Sequence, residues 1–520
     1  MDRDEMIDRL GEAEAPWDIL IIGGGATGLG SAVDAASRGY NVLLLEQSDF
    51  AKGTSSRSTK LVHGGVRYLQ QGNVSLVMEA LKERGILRTN APHLVSDLAF
   101  VVPNYDWWET PFYGIGLKVY DMLAGKYGFG KSALLSKEAT VEAIPTIETD
   151  GLRGGVRYFD GQFDDARLAM DLAETAAEQG AALINYMQVT GLVKDEGDIV
   201  TGVEAVDFET GKQYTLHAKV VVNATGAWTD AVRRMDNPDA KAMISPSQGI
   251  HLVLDKSFLP GNHAIMVPHT SDGRVLFAIP WKDHVVVGTT DTPIDSIPLE
   301  PRPLEEEIEF LLEHARQYLA IDPDRKDVKS VFAGIRPLVS APDADSTSEL
   351  SRDHTLHITQ SGLMTIAGGK WTTYRKMAED VVDHAAMLGE LELRPCVTKQ
   401  LSIHGFHQHP EKFGHLAIYG SDAQHIQKME KDPALAVKLH PSFTASVAEV
   451  LWATRYEMAR TVEDFLARRT RCLLFDARAA MEIAPKVAKL MADELERDEA
   501  WITQQVEDFR TVAAAYVLPG

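Results

Sequence analysis

The chain has 520 residues, of which 45% are hydrophobic and 24% are charged, as in an ordinary soluble globular protein. This length exceeds what one hydrophobic core usually serves, so two or three domains are expected. The net charge of −23 argues against nucleic acid as a partner, and two cysteines, Cys396 and Cys472, fit neither a disulfide framework nor a cysteine metal site. We therefore expect no nucleic acid and no metal.

The sequence contains no uninterrupted apolar stretch of about 18 residues, so no transmembrane helix is expected. Its first residues mix acids and bases before any apolar run, unlike a secretory signal. These features predict a cytoplasmic protein and leave open a peripheral contact with the inner face of the cell membrane.

The first element in the chain is a strand, turn, helix and strand in WDILIIGGGATGLGSAVDAASRGYNVLLLEQ. Gly23, Gly25 and Gly28 have the spacing G-x-G-x-x-G, which permits a tight turn, backbone approach to a pyrophosphate, and close packing of helix on strand. Glu46 ends the second strand, where a carboxylate can accept hydrogen bonds from a ribose. The unit predicts dinucleotide binding but does not choose between NAD and FAD.

The next stretch, GTSSRSTKLVHGGVRYL, is rich in small hydroxyl residues and glycine. Thr54, Ser55 and Ser56 could hydrogen-bond phosphate or ribitol oxygens, and Gly64 and Gly65 would let the backbone pass close to a flat ring. A flexible polar loop is the alternative interpretation.

Residues 106–131, DWWETPFYGIGLKVYDMLAGKYGFGK, combine aromatic and lysine side chains as at a membrane interface. The residues concerned are Trp107, Trp108, Phe112, Tyr113, Lys118, Lys126 and Lys131. An aromatic wall of a substrate domain would explain the pattern equally well.

Two later segments have the pattern of a nucleotide-binding domain. A buried strand closes in NATGAW at 223–228, and GLMTIAGGKWTTYRKMAEDVV runs from a strand into a helix with Thr372 or Thr373 as N-cap. That helix N-terminus would favour negative charge on a reduced flavin. From residue 394 the patterns are helical, with Pro485 expected in the first turn of one helix.

Taken in order, these motifs resemble the FAD-dependent glycerol-3-phosphate dehydrogenases, within a wider group that includes D-amino-acid and sarcosine oxidases. The resemblance covers nearly the whole chain and is carried by IIGGGATGLGSAVDAASRG, TSSRSTKLVHGGVRYL, FDGQFDDARL, VVNATGAW, IPWKDHVVVGTTDTP, FAGIRPLV, SRDHTL and GGKWTTYRKMAE. It implies FAD as cofactor and oxidation of sn-glycerol 3-phosphate at C2 to dihydroxyacetone phosphate, with the hydride going to flavin N5.

The implied fold class is an α/β FAD-binding domain, Rossmann-like and doubly wound, with an inserted antiparallel-sheet α+β substrate domain and a C-terminal all-α domain. The FAD-binding domain is expected to be discontinuous, formed by residues 17–90, 150–235 and 346–393. Residues 91–149 and 236–345 would form the substrate domain, and residues 394–520 the helical domain.

The resemblance also implies roles for cationic residues. Arg67, Tyr68 and Arg352 would bind the substrate phosphate, because an arginine fork suits phosphate oxygens. Arg336 would lie close to the glycerol oxygens, and Lys370 would hold substrate oxygen or flavin.

The general base is left open between two residues. His63 is favoured because its unperturbed pKa is near 6.5, and a desolvated Lys370 could also accept a proton. His63, Lys370 and Arg336 form the expected catalytic set, whereas His251, His269 and His354 are expected in the core or on the surface. The expected cofactor contacts are Gly23, Gly25, Gly28, Glu46, Thr54, Ser55, Ser56, Leu61, Gly64, Gly65, Val189, Ala224, Gly226, Gly369 and Thr372.

Several alternatives concern electron transfer and function. Relatives pass electrons to a membrane quinone or to oxygen, and oxygen-using members commonly carry an extra segment not evident here, which favours the quinone. An oxidase of another small anion such as an amino acid, and a non-catalytic flavin-binding assembly protein, are the rival functions. A homodimer is compatible with the sequence.

The peptide GGVRY occurs twice, at 64–68 and at 154–158. Only the first copy follows the flavin and substrate loop, so Arg67 and Tyr68 are expected to be functional. The second copy, with Arg157, is interpreted as structural.

Overall fold

A computed structural model describes residues 1–12, 15–65, 73–106, 109–268, 270, 275–340 and 354–519. Its strands are β1 (Trp17–Ile22), β2 (Val42–Leu45), β3 (Leu61–Val62), β4 (Val95–Asn104), β5 (Ala133–Ser136), β6 (Gly154–Phe163), β7 (Ala182–Ile184), β8 (Met187–Lys194), β9 (Val200–Asp207), β10 (Gln213–Asn223), β11 (Ile244–Asp255), β12 (His263–Val267), β13 (Leu276–Trp281), β14 (His284–Gly288), β15 (Thr292–Pro293), β16 (Val328–Val339), β17 (His354–Ile358) and β18 (Met364–Gly368).

The α-helices span Arg3–Glu12, Ala26–Ser37, Val74–Asn90, Glu109–Ala124, Lys137–Ala143, Asp165–Glu178, Thr229–Asp236, Glu305–Tyr318, Tyr374–Leu388, Ala423–Met429, Val447–Tyr456, Cys472–Phe475, Ala477–Glu494 and Glu499–Ala514. Among the described residues, none of these helices combines the length and the apolar character that crossing a membrane requires.

The first sheet has the strand order β17-β18-β10-β1-β2-β7, with β8 and β9 attached to β10 as an antiparallel meander. The strands from β18 to β7 are parallel. Ile19, Leu20 and Ile21 of β1 are fully buried, as expected for a strand covered on both faces. Helices Ala26–Ser37 and Tyr374–Leu388 pack against each other beside this sheet. This parallel sheet with its packed helices is the Rossmann-like α/β architecture that the sequence predicts.

The second sheet follows the order β15-β11-β14-β13-β12-β4-β6-β3, with β16 paired to β11 and β5 to β6. It is antiparallel apart from the β12–β4 pair. Strands β3 and β6 belong to it, although the ranges 17–90 and 150–235 were assigned to the FAD-binding domain. The domain limits themselves stay a prediction.

The second GGVRY peptide lies in β6, which pairs with β4 on one side and with β3 and β5 on the other. Arg157 is opposite Val101 of β4 and Ala133 of β5. The surroundings of this copy are therefore those of a sheet residue, as the interpretation of Arg157 as structural expects.

In the C-terminal region, one predicted helix start is wrong. Pro485 lies inside helix Ala477–Glu494 and not in its first turn. The helix begins eight residues earlier because the Asp476 carboxylate accepts a hydrogen bond from the Ala479 amide at 3.0 Å. The start of this helix is therefore set by the side-chain cap at Asp476 and not by Pro485.

Buried ion pairs join the helical C-terminal region to the first part of the chain. The carboxylate of Asp49 accepts hydrogen bonds from Arg468 and from both terminal nitrogens of Arg469, at 2.7 and 2.9 Å for the latter. Burial opposes ionisation, but the charges of Arg469 and Arg468 outweigh it and lower the pKa of Asp49. A second such carboxylate is Asp165, which pairs with Lys60 at 2.7 Å and with Arg471 at 2.9 Å.

His404 lies in a third junction, between helix Asp165–Glu178 and the C-terminal region. Its Nδ1 is 2.7 Å from Glu178 Oε1, and its Nε2 is 2.7 Å from Asp422 Oδ2 and 3.1 Å from Glu174 Oε2. Burial disfavours the imidazolium, but hydrogen bonds to Asp422 and Glu178 and the charge of Glu174 outweigh it. Together they raise the pKa of His404 to about 11.

We expect His404 to make the stability of the protein depend on pH. Because its folded-state pKa is raised, its contribution is fully present below the unfolded value of about 6.5 and is lost as pH rises towards 11. The difference in Tm between the wild type and His404→Gln should therefore be largest at about pH 6.5 or just below and should shrink in alkaline buffer. His409→Gln changes an exposed imidazole and is the control. A Tm difference for His404→Gln that is constant with pH would contradict the expectation.

Candidate active site

A cleft of about 520 Å³ lies between the two sheets. On one side it is bounded by the carboxyl ends of β1, β2, β10 and β18, the edge at which open α/β sheets bind their ligands. On the other side it is bounded by residues of β11 and β16. The predicted site residues that line it are Gly23, Gly25, Glu46, Thr54, Ser55, Leu61, His63, Val189, Ala224, Gly226, Arg336, Gly369, Lys370 and Thr372.

The glycine turn has the geometry that the motif predicts. Gly23 has φ of +111°, and a Cβ there would lie 2.7 Å from the Ala224 carbonyl oxygen. A Cβ at Gly28 would lie 1.9 Å from the Gly23 carbonyl oxygen, so only glycine allows helix Ala26–Ser37 to start this close to β1. Ala26 and Thr27, at the helix N-terminus, line the cleft. The turn therefore fits a pyrophosphate held by backbone amides.

Glu46 and Ser55 make hydrogen bonds that shape this end of the cleft. The Glu46 carboxylate accepts from the amides of Gly24 at 2.7 Å and Ser48 at 2.8 Å, and burial raises the pKa of Glu46. Ser55 Oγ accepts from the Ala26 amide at 2.9 Å. Thr54 donates to the Ile335 carbonyl at 2.5 Å, which ties the hydroxyl-rich loop to the second sheet.

Four predicted cofactor residues lie near the cleft but do not line it. Gly28 is in the helix, where it faces the backbone of Gly23. Ser56 is buried, with its carbonyl accepting from Lys60 and Arg471. The Gly64 amide donates to the Tyr120 hydroxyl at 2.9 Å, and Gly65 follows it with φ of +76°. Their small size serves packing and turns around the cleft.

Several predictions concern residues that the structure does not describe. Arg67, Tyr68 and Arg352 lie outside the described residues, as do Trp107, Trp108 and His269. The predicted phosphate ligands therefore stay a prediction, whereas Arg336 and Lys370, predicted near the glycerol and flavin oxygens, lie among the described residues.

The described cationic part of the site begins at Arg336 on β16. Its guanidinium is 3.0 Å from Thr289 Oγ1, 2.9 Å from the Thr290 carbonyl and 3.2 Å from Asp291 Oδ1. Lys370 lines the same cleft, with its Nζ buried. Arg336 and Lys370 thus share a cleft with the glycine turn, which suits an anionic substrate beside a dinucleotide.

His63 lies at the end of β3 and is held through its backbone. Its amide donates to Thr372 Oγ1 at 3.2 Å. The prediction that Thr372 or Thr373 is the N-cap residue of the following helix is confirmed in position, at Thr373. Its hydroxyl does not cap the helix, because Thr373 Oγ1 donates to the Lys370 carbonyl at 3.3 Å, while Thr372 Oγ1 contacts the backbone of His63. The threonines instead join the His63 loop to the Lys370 turn.

His251 was not predicted as a site residue, but it lines the cleft. Its ring stacks on Phe332 with centroids 4.8 Å apart, and its Nε2 is 2.9 Å from Thr59 Oγ1. Burial, and then the charges of Lys60 and Arg336, hold the pKa of His251 well below its usual range. A single histidine in a strand gives no sequence signal, so only the pairing of β11 with β16 reveals it.

His354 does not line the cleft, and its Nε2 lies 2.9 Å from Asp380 Oδ2.

Arg57 is a second cleft residue that was not predicted. It lines the cleft and pairs with Glu300 at 2.8 Å. Its position within the quoted segment TSSRSTKLVHGGVRYL was the available signal.

Comparisons with known proteins give the same picture. A family model of FAD-dependent oxidoreductases matches residues 18–375, and a model of the C-terminal domain of alpha-glycerophosphate oxidase matches residues 362–502. The human mitochondrial glycerol-3-phosphate dehydrogenase is 42% identical over 95% of this chain and 72% of its own. The chain belongs to the FAD-dependent glycerol-3-phosphate dehydrogenase family.

Other members of the family support this assignment. The mitochondrial enzyme of Schizosaccharomyces pombe is 40% identical, covering 95% of this chain and 86% of its own. The crystal structure of the glycerol-3-phosphate dehydrogenase of Bacillus halodurans, complexed with FAD, superposes with a TM-score of 0.80 at 31% identity, over 99% of this chain and 98% of that chain. The predicted cofactor, FAD, and the enzyme class are confirmed.

Proposed function

We propose that this chain oxidises sn-glycerol 3-phosphate at C2 to dihydroxyacetone phosphate. The observation that carries the proposal is Arg336, whose guanidinium lines the cleft that begins at the glycine turn. Bound FAD would supply the hydride acceptor for C2. The residues of the chain have to bind the anion, orient C2 and take the hydroxyl proton.

Substrate binding is assigned to Arg336 and Lys370, together with the predicted phosphate ligands Arg67, Tyr68 and Arg352. An arginine fork that is already held by Asp291 and two threonines loses little freedom on binding. Such a preset cation favours substrates that carry oxygen anions.

We assign the role of general base to His63, with Lys370 as the alternative. His63 lines the cleft, and its backbone is fixed by Thr372. His251 is a further candidate, because its burial favours the neutral imidazole that a base requires. A positioned base contributes about 10²- to 10⁴-fold to rate, so the correct assignment has a large kinetic effect.

A quinone is proposed as the electron acceptor, reached at a membrane surface. Helix Glu109–Ala124 exposes an apolar strip, in which the exposed fractions are 51% for Phe112, 67% for Ile115 and 73% for Met122. Lys118 is exposed beside the strip. Apolar residues flanked by lysine suit an interfacial helix, so they support the proposed peripheral contact.

The proposed function is tested by anaerobic addition of sn-glycerol 3-phosphate to the flavoprotein. We expect the flavin absorbance to bleach, and a soluble quinone analogue to restore it faster than oxygen does. A panel of amino acids is the control, since an amino-acid oxidase would be bleached by them instead. A flavin that stays oxidised with every substrate would instead favour the non-catalytic alternative.

The same measurement on His63→Asn and His251→Asn tests the base. The variant that lacks the base should reduce its flavin slowly at all substrate concentrations, because proton removal is lost and anion binding is kept. If only His251→Asn is slow, the assignment to His63 fails.

A further inference from the structure

The guanidinium of Arg336 lies in a cradle built by β11 and the loop 289–292. Besides its contacts with Thr289, Thr290 and Asp291, its Nη1 is 3.4 Å from the Gln248 carbonyl. Strand β16 carries Arg336 opposite Ser247 of β11, and Gly249 is opposite Gly334. The side chain therefore lies across β11 near Gly249, towards the loop.

Gly249 provides the space that the guanidinium occupies. A Cβ at this position would lie 2.4 Å from Arg336 Nη2, 2.6 Å from Nη1 and 2.7 Å from Thr289 Oγ1. The φ of Gly249 does not require glycine, so the backbone would accept alanine. A larger residue is excluded at position 249 because the Arg336 guanidinium already occupies the space that its Cβ would need.

Asp291 supplies the charge in this cradle. Its Oδ1 is 3.2 Å from Arg336 Nη1 and also accepts a hydrogen bond from the Ser247 hydroxyl. The Asp291 carboxylate is thus held from the strand that also carries Gly249. An ion pair fixed on both sides orients the fork more strictly than one between mobile partners.

Behind Asp291, the buried Glu307 holds the loop in place. Its Oε1 accepts from Thr290 at 2.8 Å and from Thr292 at 2.7 Å, and its Oε2 accepts from the Gln248 amide group at 2.8 Å. One carboxylate on helix Glu305–Tyr318 thereby fixes the residues on both sides of Asp291 to β11. The cradle is a rigid unit, not a loop that closes on the arginine.

We propose that Gly249 and Asp291 are positioning residues that set where the Arg336 guanidinium meets the substrate. Gly249 sets its distance from β11, and Asp291 sets its orientation. The inference rests on the proposed function, in which Arg336 contacts the oxygens of sn-glycerol 3-phosphate. Neither residue is required to touch the substrate.

The test is a double-mutant cycle on the complete flavoprotein. The variants Gly249→Ala and Asp291→Asn are each made in the wild type and in an Arg336→Met background, and flavin reduction is followed in stopped flow. In the wild type we expect kcat/KM to fall about tenfold or more, since a misplacement of about 1 Å can cost about 10²-fold. In the Arg336→Met background the same substitutions should have little further effect.

Matched controls and a second measurement keep the result decisive. Gly11→Ala, in open space, and Asp295→Asn, at an exposed position, should leave kcat/KM unchanged. If Arg336→Met reduces its flavin too slowly to follow, the Kd of dihydroxyacetone phosphate, from the change it causes in flavin absorbance, is compared across the same proteins.

Equal losses in both backgrounds would overturn the positioning role, because they would show an effect on folding and not on Arg336. An unchanged kcat/KM in both single variants would also overturn it. If the wild type is not reduced by sn-glycerol 3-phosphate, it is the proposed function that fails, and the two failures are distinguished.

Discussion

Gly28→Ala should yield a protein without bound FAD. The new methyl group would lie 1.9 Å from the Gly23 carbonyl oxygen and 3.1 Å from its carbonyl carbon, so helix Ala26–Ser37 has to move away from β1. Both contacts are with backbone atoms, which cannot relieve the overlap by changing rotamer. Since the helix N-terminus and the turn together would hold the pyrophosphate, the shift should remove the phosphate site. The measurement is the ratio of flavin to protein after purification, alongside Tm.

A graded series separates loss of the site from general damage. Gly11→Ala has no atom within 4 Å of its new methyl group and should keep full flavin content. In Gly25→Ala the methyl group would lie 3.1 Å from Ser55 Oγ, a side chain that can yield, so FAD should bind more weakly but not be lost. A Gly28→Ala protein with full flavin content would show that the close helix–strand contact is not needed for binding.

The second large effect is expected for Asp165→Asn. The Asp165 side chain is fully buried and accepts from Lys60, Arg471 and the Ser58 hydroxyl at 2.7, 2.9 and 2.7 Å. Breaking a buried ion pair from one side costs about 3–5 kcal/mol. Burial and the charge of Arg471 lower the pKa of Lys60 to about 7, so the lysine can shed its proton, whereas the arginine stays charged. Most of the penalty therefore falls on Arg471.

Tm measured with and without added FAD reports this effect. Because Asp165 anchors the loop that carries Ser58 and Lys60, the variant should lose stability and also bind FAD more weakly. Asp97→Asn breaks an exposed pair with Arg88 and should change Tm far less. Similar Tm values for the two variants would contradict a special role of the buried carboxylate.

The sequence predicts those parts of the fold that depend on local rules. The strand, glycine turn and acid from Trp17 to Glu46 follow from steric constraints within one βαβ unit. The place of β6 in the second sheet could not be predicted, because membership of a sheet depends on partners far along the chain, here β4 and β3. The helix start predicted at Pro485 is wrong because a proline permits a helix to begin but does not require it to begin there.

In the site, too, residues within local motifs could be predicted, whereas residues brought together by long-range pairing could not. Arg336 and Lys370, which line the cleft, could be predicted from the sequence because they stand in the segments FAGIRPLV and GGKWTTYRKMAE, which carry the resemblance to the family. His251 and Gly249 have no such pattern, and their importance appears only when β11 lies beside β16. The contact of Thr372 Oγ1 with the backbone of His63 likewise joins segments far apart in the chain, so no local sequence pattern predicts it.

The ion pairs of Asp49 and Asp165 have a consequence for how the chain folds as it is made. Both carboxylates belong to the part of the chain that forms the nucleotide site, yet their arginine partners lie at 468, 469 and 471. Domains usually complete their folding in order as they leave the ribosome, N-terminal first. Here the first domain emerges with two buried acids still lacking their counterions, so it stays incomplete until residues 468–471 have left the ribosome. We therefore expect FAD to be incorporated only after that segment has been synthesised.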